Sequence, residues 1–383
     1  MPKKIVVTGG AGFIGSHLVD SLIQRGHRVR VLDNLDSQVH GTSAAGKPLH
    51  LHPEAEFIYG DVLNEADVKR AIDGMEIIFH QAAVVGVGQS MYQIARYVMA
   101  NTLGTAQLMD FLVNHKNSIQ KVIVAASMSS YGEGAYACEV CGVVYPPPRP
   151  ETQMAIGDWE VHCPQCRKHP PLSPIPTPED KPQQVHSIYA LTKKNQEEIA
   201  LMIGRTYRLP VVALRYFNVY GPRQSLSNPY TGVAAIFMSR IKNGNPPIIY
   251  EDGLQTRDFV SVHDIVKANI LAMERDEADY QVFNVGSGVP ITIREVATTL
   301  AELYAPIASI GGEVIQPQIT NQFRKGDVRQ CYAAISKIRK RLGFSADVSF
   351  ERGMMELVRW AESAHAEDKF ELATQELKAK GLF

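Results

Sequence analysis

The chain opens on an apolar, β-branched run at residues 3–8, followed by a helix-period stretch at 13–25 and a second strand pattern, Arg28-Val29-Arg30-Val31-Leu32. This succession predicts a βαβ unit. Apolar runs at 76–80, 121–126 and 211–215 continue the strand series, with helix-period stretches at 66–73, 92–115 and 187–206 between them. Strands alternating with helices predict an α/β fold, a doubly wound parallel sheet covered on both faces. After Gly134 the rhythm stops. Residues 135–185 hold eleven prolines and four paired cysteines without a sustained amphipathic period, and read as an insertion with its own cross-link or as a loop. Beyond about 218, clusters such as Asn243-Gly244-Asn245-Pro246-Pro247 separate shorter elements. They predict a smaller C-terminal α/β domain closing over the sheet's carboxyl edge, where ligands of open α/β folds sit. The expected division is 1–134, 186–217 and about 256–275 for the sheet domain, 135–185 for the insertion, and 218–255 with 276–383 for the smaller domain.

Composition narrows the class. Of 383 residues, 45% are hydrophobic and 21% charged, as in a globular protein. The 39 basic and 40 acidic side chains nearly cancel, so no global field argues for nucleic acid or an anionic membrane as partner. Met1-Pro2-Lys3-Lys4 runs straight into Ile5-Val6-Val7, leaving no room for a signal peptide, and no apolar run approaches the roughly 18 residues of a membrane span. A cytoplasmic location is the expectation.

The strongest local signal is Thr8-Gly9-Gly10-Ala11-Gly12-Phe13-Ile14-Gly15, between the first strand and the first helix. Gly9 allows the tight turn, Gly12 lets backbone approach a pyrophosphate, and Gly15 permits close helix–sheet packing, while the helix N-terminus supplies donors. Asp33, ending the second strand, suits the adenosine ribose hydroxyls and repels a 2′-phosphate, which favours NAD over NADP. Asp61, in Gly60-Asp61-Val62, sits either against the adenine amine or in a solvated turn. Tyr189 and Lys193, four residues apart, share a helix face. The cation is expected to lower the phenol and make Tyr189 a usable base.

These motifs, with Ser127-Met128-Ser129-Ser130-Tyr131-Gly132 and Arg215-Tyr216-Phe217-Asn218, occur in the order of the extended short-chain dehydrogenase/reductases, and the chain resembles their nucleotide-sugar epimerases and dehydratases over nearly its whole length. The resemblance implies NAD as cofactor and a nucleotide-diphosphate sugar as substrate. It implies Ser127, Tyr189 and Lys193 as catalytic residues. Phe13, Ile14, Asn34, Val62, Gln81, Ala82, Ala83, Asn101, Tyr216 and Val219 would line the cofactor cleft beside the glycines, Asp33 and Asp61. Val85, Met128, Ser129, Asn218, Arg223, Arg257 and Arg324 would face the substrate, the arginines through paired hydrogen bonds to phosphate. Ser129 and Ser130 otherwise read as turn formers. Where the family's 4,6-dehydratases carry an Asp-Glu pair, this chain has Met128-Ser129, and dehydration loses its acid and base.

Cys138-x-x-Cys141 and Cys163-x-x-Cys166 form two knuckles suited to a structural zinc with a closed four-sulfur shell, with His162 and His169 as rival ligands and Cys331 a packed thiol. Lying between Ser127 and Tyr189, the knuckles belong at the rim of the site, as a lid over the sugar, a folding staple or a subunit contact. With Gly86-Val87-Gly88-Gln89-Ser90-Met91-Tyr92 and Asp158-Trp159-Glu160, the insertion resembles the bacterial dTDP-L-rhamnose 4-epimerases. That resemblance implies oxidation of the sugar at C4 and reduction on the opposite face. A UDP-glucose or UDP-uronate 4-epimerase, a 4,6-dehydratase, a decarboxylase, and a non-catalytic NAD-bound zinc-ribbon interaction protein stand as alternatives. The helices at 92–115 and 187–206 resemble a family dimer contact, so a homodimer is expected. The charged tail from about 365 is expected to be a terminal helix of unassigned use.

Overall fold

The computed structural model describes residues 1–41, 48, 50–166, 172–307 and 312–382. Seven strands form one sheet: β1 (Lys4–Thr8), β2 (Arg28–Asp33), β3 (Glu56–Tyr59), β4 (Ile77–His80), β5 (Lys121–Ser127), β6 (Val211–Tyr216) and β7 (Val282–Val285). Their order is β7-β6-β5-β4-β1-β2-β3 and every pairing is parallel. The central strands are apolar on both faces; β4, β5 and β6 are buried almost throughout because helices cover both sides. The principal helices are α1 (Phe13–Gln24), α2 (Gly104–Asn114), α3 (Ile188–Tyr207), α4 (Val233–Lys242), α5 (Val262–Glu274), α6 (Phe350–Ser363) and α7 (Phe370–Ala379). β7 falls inside 276–383, the range expected for the smaller domain. That expectation is corrected: Phe283 pairs with Leu214 and packs in the core of the main sheet.

The chain reverses direction between β1 and β4, which is where an open sheet leaves a crevice at its carboxyl edge. Register aligns the strand ends there: Thr8 lies beside His80, and Ser127 beside Tyr216. A smaller sheet, with strands Asn218–Tyr220, Thr256–Ser261 and Pro290–Thr292, stands over this edge and buries its own core of Phe237, Leu300 and Leu357 against α4 and α6. The cysteine segment forms a third, antiparallel sheet from Ala135–Cys138, Gly142–Val144 and Ser173–Ile175, closed over Tyr136, Val144, Val161 and Leu172. Two buried arginines tie this insertion to the smaller sheet. Arg149 makes a two-pronged bond to Glu251 at 2.8 and 2.9 Å, and Arg329 reaches Glu251, Asp252 and Glu160. Among the described residues no helix is long and apolar enough to cross a membrane.

The stretch at 92–115 is not one regular helix. A π-turn, Val98–Leu103, precedes α2, and the wider turn places Asn101 fully inside. Its amide holds Val84 on both backbone groups and donates to Thr192 at 3.0 Å. A polar seam continues from there between sheet and helices. Thr105 donates to the Asn101 carbonyl at 2.7 Å and meets both Gln196 and His80 Nε2, while His80 Nδ1 lies 2.8 Å from the Thr8 hydroxyl.

Two consequences are measurable. A Cβ on Gly15 would lie 2.2 Å from the Gly9 carbonyl oxygen, whereas one on Gly12 meets only ordinary contact at 3.4 Å. Gly15→Ala is therefore expected to lose about 1–3 kcal/mol in thermal unfolding, with Gly12→Ala close to the parent; equal melting of all three would contradict so close a turn. Burial pushes the His80 imidazole down to about 3, so the folded chain refuses a proton that the unfolded chain takes up. Stability then falls as pH drops from about 6.5 toward 3. In denaturant titrations the parent should lose about 2 kcal/mol more than His80→Gln between pH 7 and pH 5; equal losses would show that His80 is not held neutral.

Candidate active site

α1 starts at Gly12 with no side-chain cap, so its first N–H groups are left for a ligand. Gly9, at φ +68°, packs so tightly on the backbone of Ala82 that a Cβ would come within 2.7 Å of the Ala82 nitrogen. The uncapped helix end, the bare glycine turn and an acidic residue on the next strand together fit a dinucleotide. Asp33 is that residue. One of its oxygens accepts from Ala11 N–H at 3.0 Å and the other from Leu35 N–H at 2.9 Å, which leaves lone pairs on both. Burial pushes its carboxyl up, and the Leu35 and Ala11 N–H groups and His40 oppose that. Asn34 donates to Asp61 at 2.8 Å, so these two are brought together beside the Asp33 end of the sheet. Val62 is buried against Gly104, while Phe13, Ile14 and Ala83 are half-buried. Gln81 bonds Tyr216 and Asn269 across the sheet edge.

Ser127 ends β5, and its hydroxyl lies near enough to the Tyr189 phenol to draw its proton affinity down. Ser129 donates to that same Ser127 hydroxyl at 2.9 Å through Oγ and at 3.2 Å through N–H, so it is more than a turn former; Ser130 caps the Ser127 carbonyl as a turn residue does. Ser187 caps α3, placing Tyr189 in the first turn and Lys193 one turn on. Lys193 is 4% exposed, and its Nζ donates to Gln196 at 2.7 Å. Burial lowers this ammonium to about 7, against the attraction of Glu197. The expected depression of the Tyr189 phenol is corrected: burial pushes it up, opposed only by Ser127, because the Lys193 charge is turned toward Gln196. Val85, exposed, and the loop to Tyr92 border the same helix end, with Ser90 Oγ accepting from Tyr189 N–H at 3.0 Å.

On the opposite wall, Asn218 and Val219 lie on the strand that pairs with Phe259 and Val260. Asn218 Oδ1 is buried without a hydrogen-bond partner among the described residues. Arg257 and Arg324 converge on Asp327, at 3.4 and 2.9 Å, and Arg324 lies 4.9 Å from the Tyr250 ring centre. Arg257 spends most of its donors on the carbonyls of Thr256, Val328 and Arg329. Arg223 is apart from this pair, bonded to Asp20 on α1 at 2.7 Å. Met128 packs against the main core. Sequence reasoning missed Gln196, His80 and Glu197. The first and last were legible as the i+3 and i+4 neighbours of Lys193, but nothing local announced that they would face it.

The four Sγ atoms of Cys138, Cys141, Cys163 and Cys166 lie within 4.8 Å of one another, with Cys138 and Cys166 at 3.7 Å. The edge of a tetrahedral zinc–thiolate site is about 3.8 Å, so the set fits such an ion. Within the set the Cys166 N–H holds the Cys163 thiol down to about 7, while loss of solvation pushes Cys141 up to about 12. His162 is bonded to Asp158 at 2.8 Å, His169 lies outside the described residues, and Cys331 is buried.

Comparison with known proteins agrees with this geometry. Residues 5–153 match the model of the NAD dependent epimerase/dehydratase family, and residues 171–357 that of GDP-mannose 4,6 dehydratase. The dTDP-L-rhamnose 4-epimerase of Burkholderia thailandensis is 34% identical over 362 residues, covering 94% of each chain. Among solved structures, the UDP-glucose 4-epimerase of Thermotoga maritima with UDP-glucose superposes with a TM-score of 0.73 at 31% identity, covering 94% of this chain and 98% of that one. The UDP-glucuronic acid 4-epimerase of Bacillus cereus, in complex with UDP-glucuronic acid and NAD, gives 0.74 at 26% identity over 94% of this chain and 100% of that one. The chain belongs to the NAD-dependent epimerase/dehydratase family of extended short-chain dehydrogenase/reductases and is, by class, an isomerase, an NAD-dependent nucleotide-sugar 4-epimerase.

Proposed function

We propose that the chain interconverts dTDP-L-rhamnose and dTDP-6-deoxy-L-talose, with NAD held throughout and returned to its starting state each turnover. The observation that carries the C4 chemistry is the Ser127 hydroxyl beside the Tyr189 phenol, with Lys193 one turn along α3 and no carboxylate at 128 or 129. Gly9, Gly12, Gly15 and Asp33 would hold NAD, and Gln81, Asn101 and Tyr216 brace the walls of that cleft. When bound, NAD supplies reversible uptake of a hydride from C4. Tyr189 takes the proton of the C4 hydroxyl and later returns one to the same oxygen, and Ser127 orients that oxygen. In the substrate complex Lys193 would turn from Gln196 toward the phenolate and offset its charge in a site with little water. Asn218 satisfies its buried oxygen on the sugar nucleotide, while Arg257 and Arg324 anchor the diphosphate about which the sugar turns. Configuration inverts with no net redox change.

Dehydration is disfavoured. The buried carboxylates nearest in sequence to the catalytic groups are committed elsewhere: Glu133 to Tyr136 and the N–H groups of Arg329 and Gln330, Glu197 to Arg215. The dehydratase-model match begins at 171, beyond positions 128 and 129. The dTDP-deoxysugar reading is supported by the Burkholderia relative and by the exposed, apolar Val85, suited to a sugar methyl group. A UDP-sugar 4-epimerase is the second reading, favoured by the UDP-sugar complexes among the structural relatives. A homodimer is supported by apolar side chains left bare along the 94–103 stretch and α3, among them Ile94 at 51% and Met202 at 65% exposed.

A structural zinc in the four-cysteine set acts in this reading as a staple. Through Arg149 and Glu160 the insertion holds Glu251, Asp252 and Arg329, which flank Arg257 and Arg324. Cys138→Ser with Cys163→Ser is expected to abolish zinc content in metal analysis and to raise KM several-fold with less effect on kcat; full zinc retention would sink the assignment.

The direct test is a panel of dTDP-, UDP- and GDP-sugars, with C4 configuration read by NMR and reduced nicotinamide by absorbance. dTDP-L-rhamnose should be converted without build-up of reduced cofactor, and Tyr189→Phe should be slower by roughly 10²- to 10⁴-fold. Reduced cofactor equal to product would make the chain a dehydrogenase, and a marked preference for a UDP-sugar would favour the second reading.

A further inference from the structure

The family-model matches end at residue 357, yet the chain continues past α6 into an ordered segment that crosses the cleft. Its base is fixed to α4. Lys242 Nζ donates to the carbonyls of Ala361, Glu362 and Ala364, Asn243 to that of Ala366 and Asn245 to Asp368. Arg240 pairs with Asp368 and Glu371 and lies over the Phe370 ring. From this root α7 extends toward the sheet domain, and its far end is held lightly. Glu376 accepts from Tyr92 OH at 2.8 Å and from Tyr230 OH, and the two phenols are 2.7 Å apart. Leu377 lies on Gly88, where a Cβ would come within 3.0 Å of its Cδ2.

The two tyrosines come from separate parts of the fold and meet phenol to phenol, with Glu376 accepting from both. Tyr92 follows the loop whose Ser90 holds Tyr189 N–H, and Tyr230 precedes α4 in the part that covers the sheet edge. Between root and tip, Thr374 lies beside Tyr250, the ring over which Arg324 lies. The segment therefore passes over the arginine side of the cleft and ends at the tyrosine-base side. Its outer face is solvated: Gln375 is exposed and Leu372 is 57% exposed. A short helix with a strong root and a few solvent-accessible bonds at its tip opens at small cost while the fold stays intact.

We propose that residues 364–382 form a latch over the nucleotide-sugar cleft, closed by Glu376 across Tyr92 and Tyr230, through which the nucleotide end of the substrate must pass to enter and leave. The proposal rests on the nucleotide-sugar reading above. An enzyme that oxidises its sugar before inverting it gains from a slow exit, because an oxidised sugar that escapes leaves the cofactor reduced and the enzyme idle. A gate differs from a binding contact in its kinetics: loosening it speeds entry and exit together and leaves affinity nearly unchanged.

The test uses the holoenzyme with dTDP and UDP as probes, followed by stopped-flow binding, and hydrogen exchange across 370–379. Glu376→Gln, with Leu377→Ala as a second variant, should exchange faster in α7. Both should raise the association and dissociation rates of the bound probe by roughly three- to tenfold, with Kd within about twofold. Faster exchange in α7 with both rates unchanged would overturn the latch, as would a rise in dissociation alone, which marks a direct contact. If the parent holoenzyme bound neither probe, the dTDP-sugar and UDP-sugar readings would both fall, and the latch with them.

Discussion

Lys193 carries its ammonium where only 4% of the residue meets solvent, and much of the cleft is arranged around that burial. A buried cation without partners costs several kcal/mol, so its surroundings must be polar, saturated and rigid. Gln196 turns its oxygen to Lys193 and its nitrogen to Thr105; Thr105 donates to Asn101, Asn101 to Thr192, and Thr192 to the Tyr189 carbonyl. The circuit starts on a side chain of α3 and returns to the backbone of the same helix one turn earlier. The π-turn before α2 has a physical reason here, since it brings Asn101 inward to close the circuit. The phenol and ammonium are thereby fixed relative to β5, where Ser127 waits.

The second wall is organised by charge as well. Arg149, Glu251 and Arg329 are almost wholly buried, and a buried ion cluster of this kind gives little net stability, while loss of one member leaves a charge stranded. Its value lies in position: it joins the cysteine insertion to the segments that carry Arg257, Arg324 and Asp327. The insertion thus braces the arginine wall of the cleft through Glu251, Asp252 and Arg329, contacts that suit a staple.

The sheet was legible in the sequence because both-face burial leaves continuous apolar runs, and these mark β1, β2, β4, β5 and β6. β7 escaped because Val282–Val285 is short and adjoins glycine-rich turns that read as loop. The glycine turn and the Tyr189/Lys193 pair were legible because steric demand and helical spacing are local. The phenol's raised affinity for its proton was not, since it depends on burial and on where the Lys193 side chain points. The convergence of Arg257 and Arg324 on Asp327 was half legible, as neighbouring motifs without a known meeting point. The terminal helix was expected, but its crossing of the cleft depends on partners 284 and 146 residues away in the chain.

The central claim is that one hydrogen leaves C4 of a nucleotide sugar and returns to the same carbon on its other face, without passing through water. A dTDP-L-rhamnose carrying deuterium at C4 tests it most directly, with the product's C4 position read by NMR in ordinary water. The account predicts that the talose-configured product retains the deuterium at C4 in full. Deuterium lost to solvent would mean that C4 is inverted by proton exchange, and would contradict the role assigned to Tyr189, Ser127 and the cofactor cleft alike.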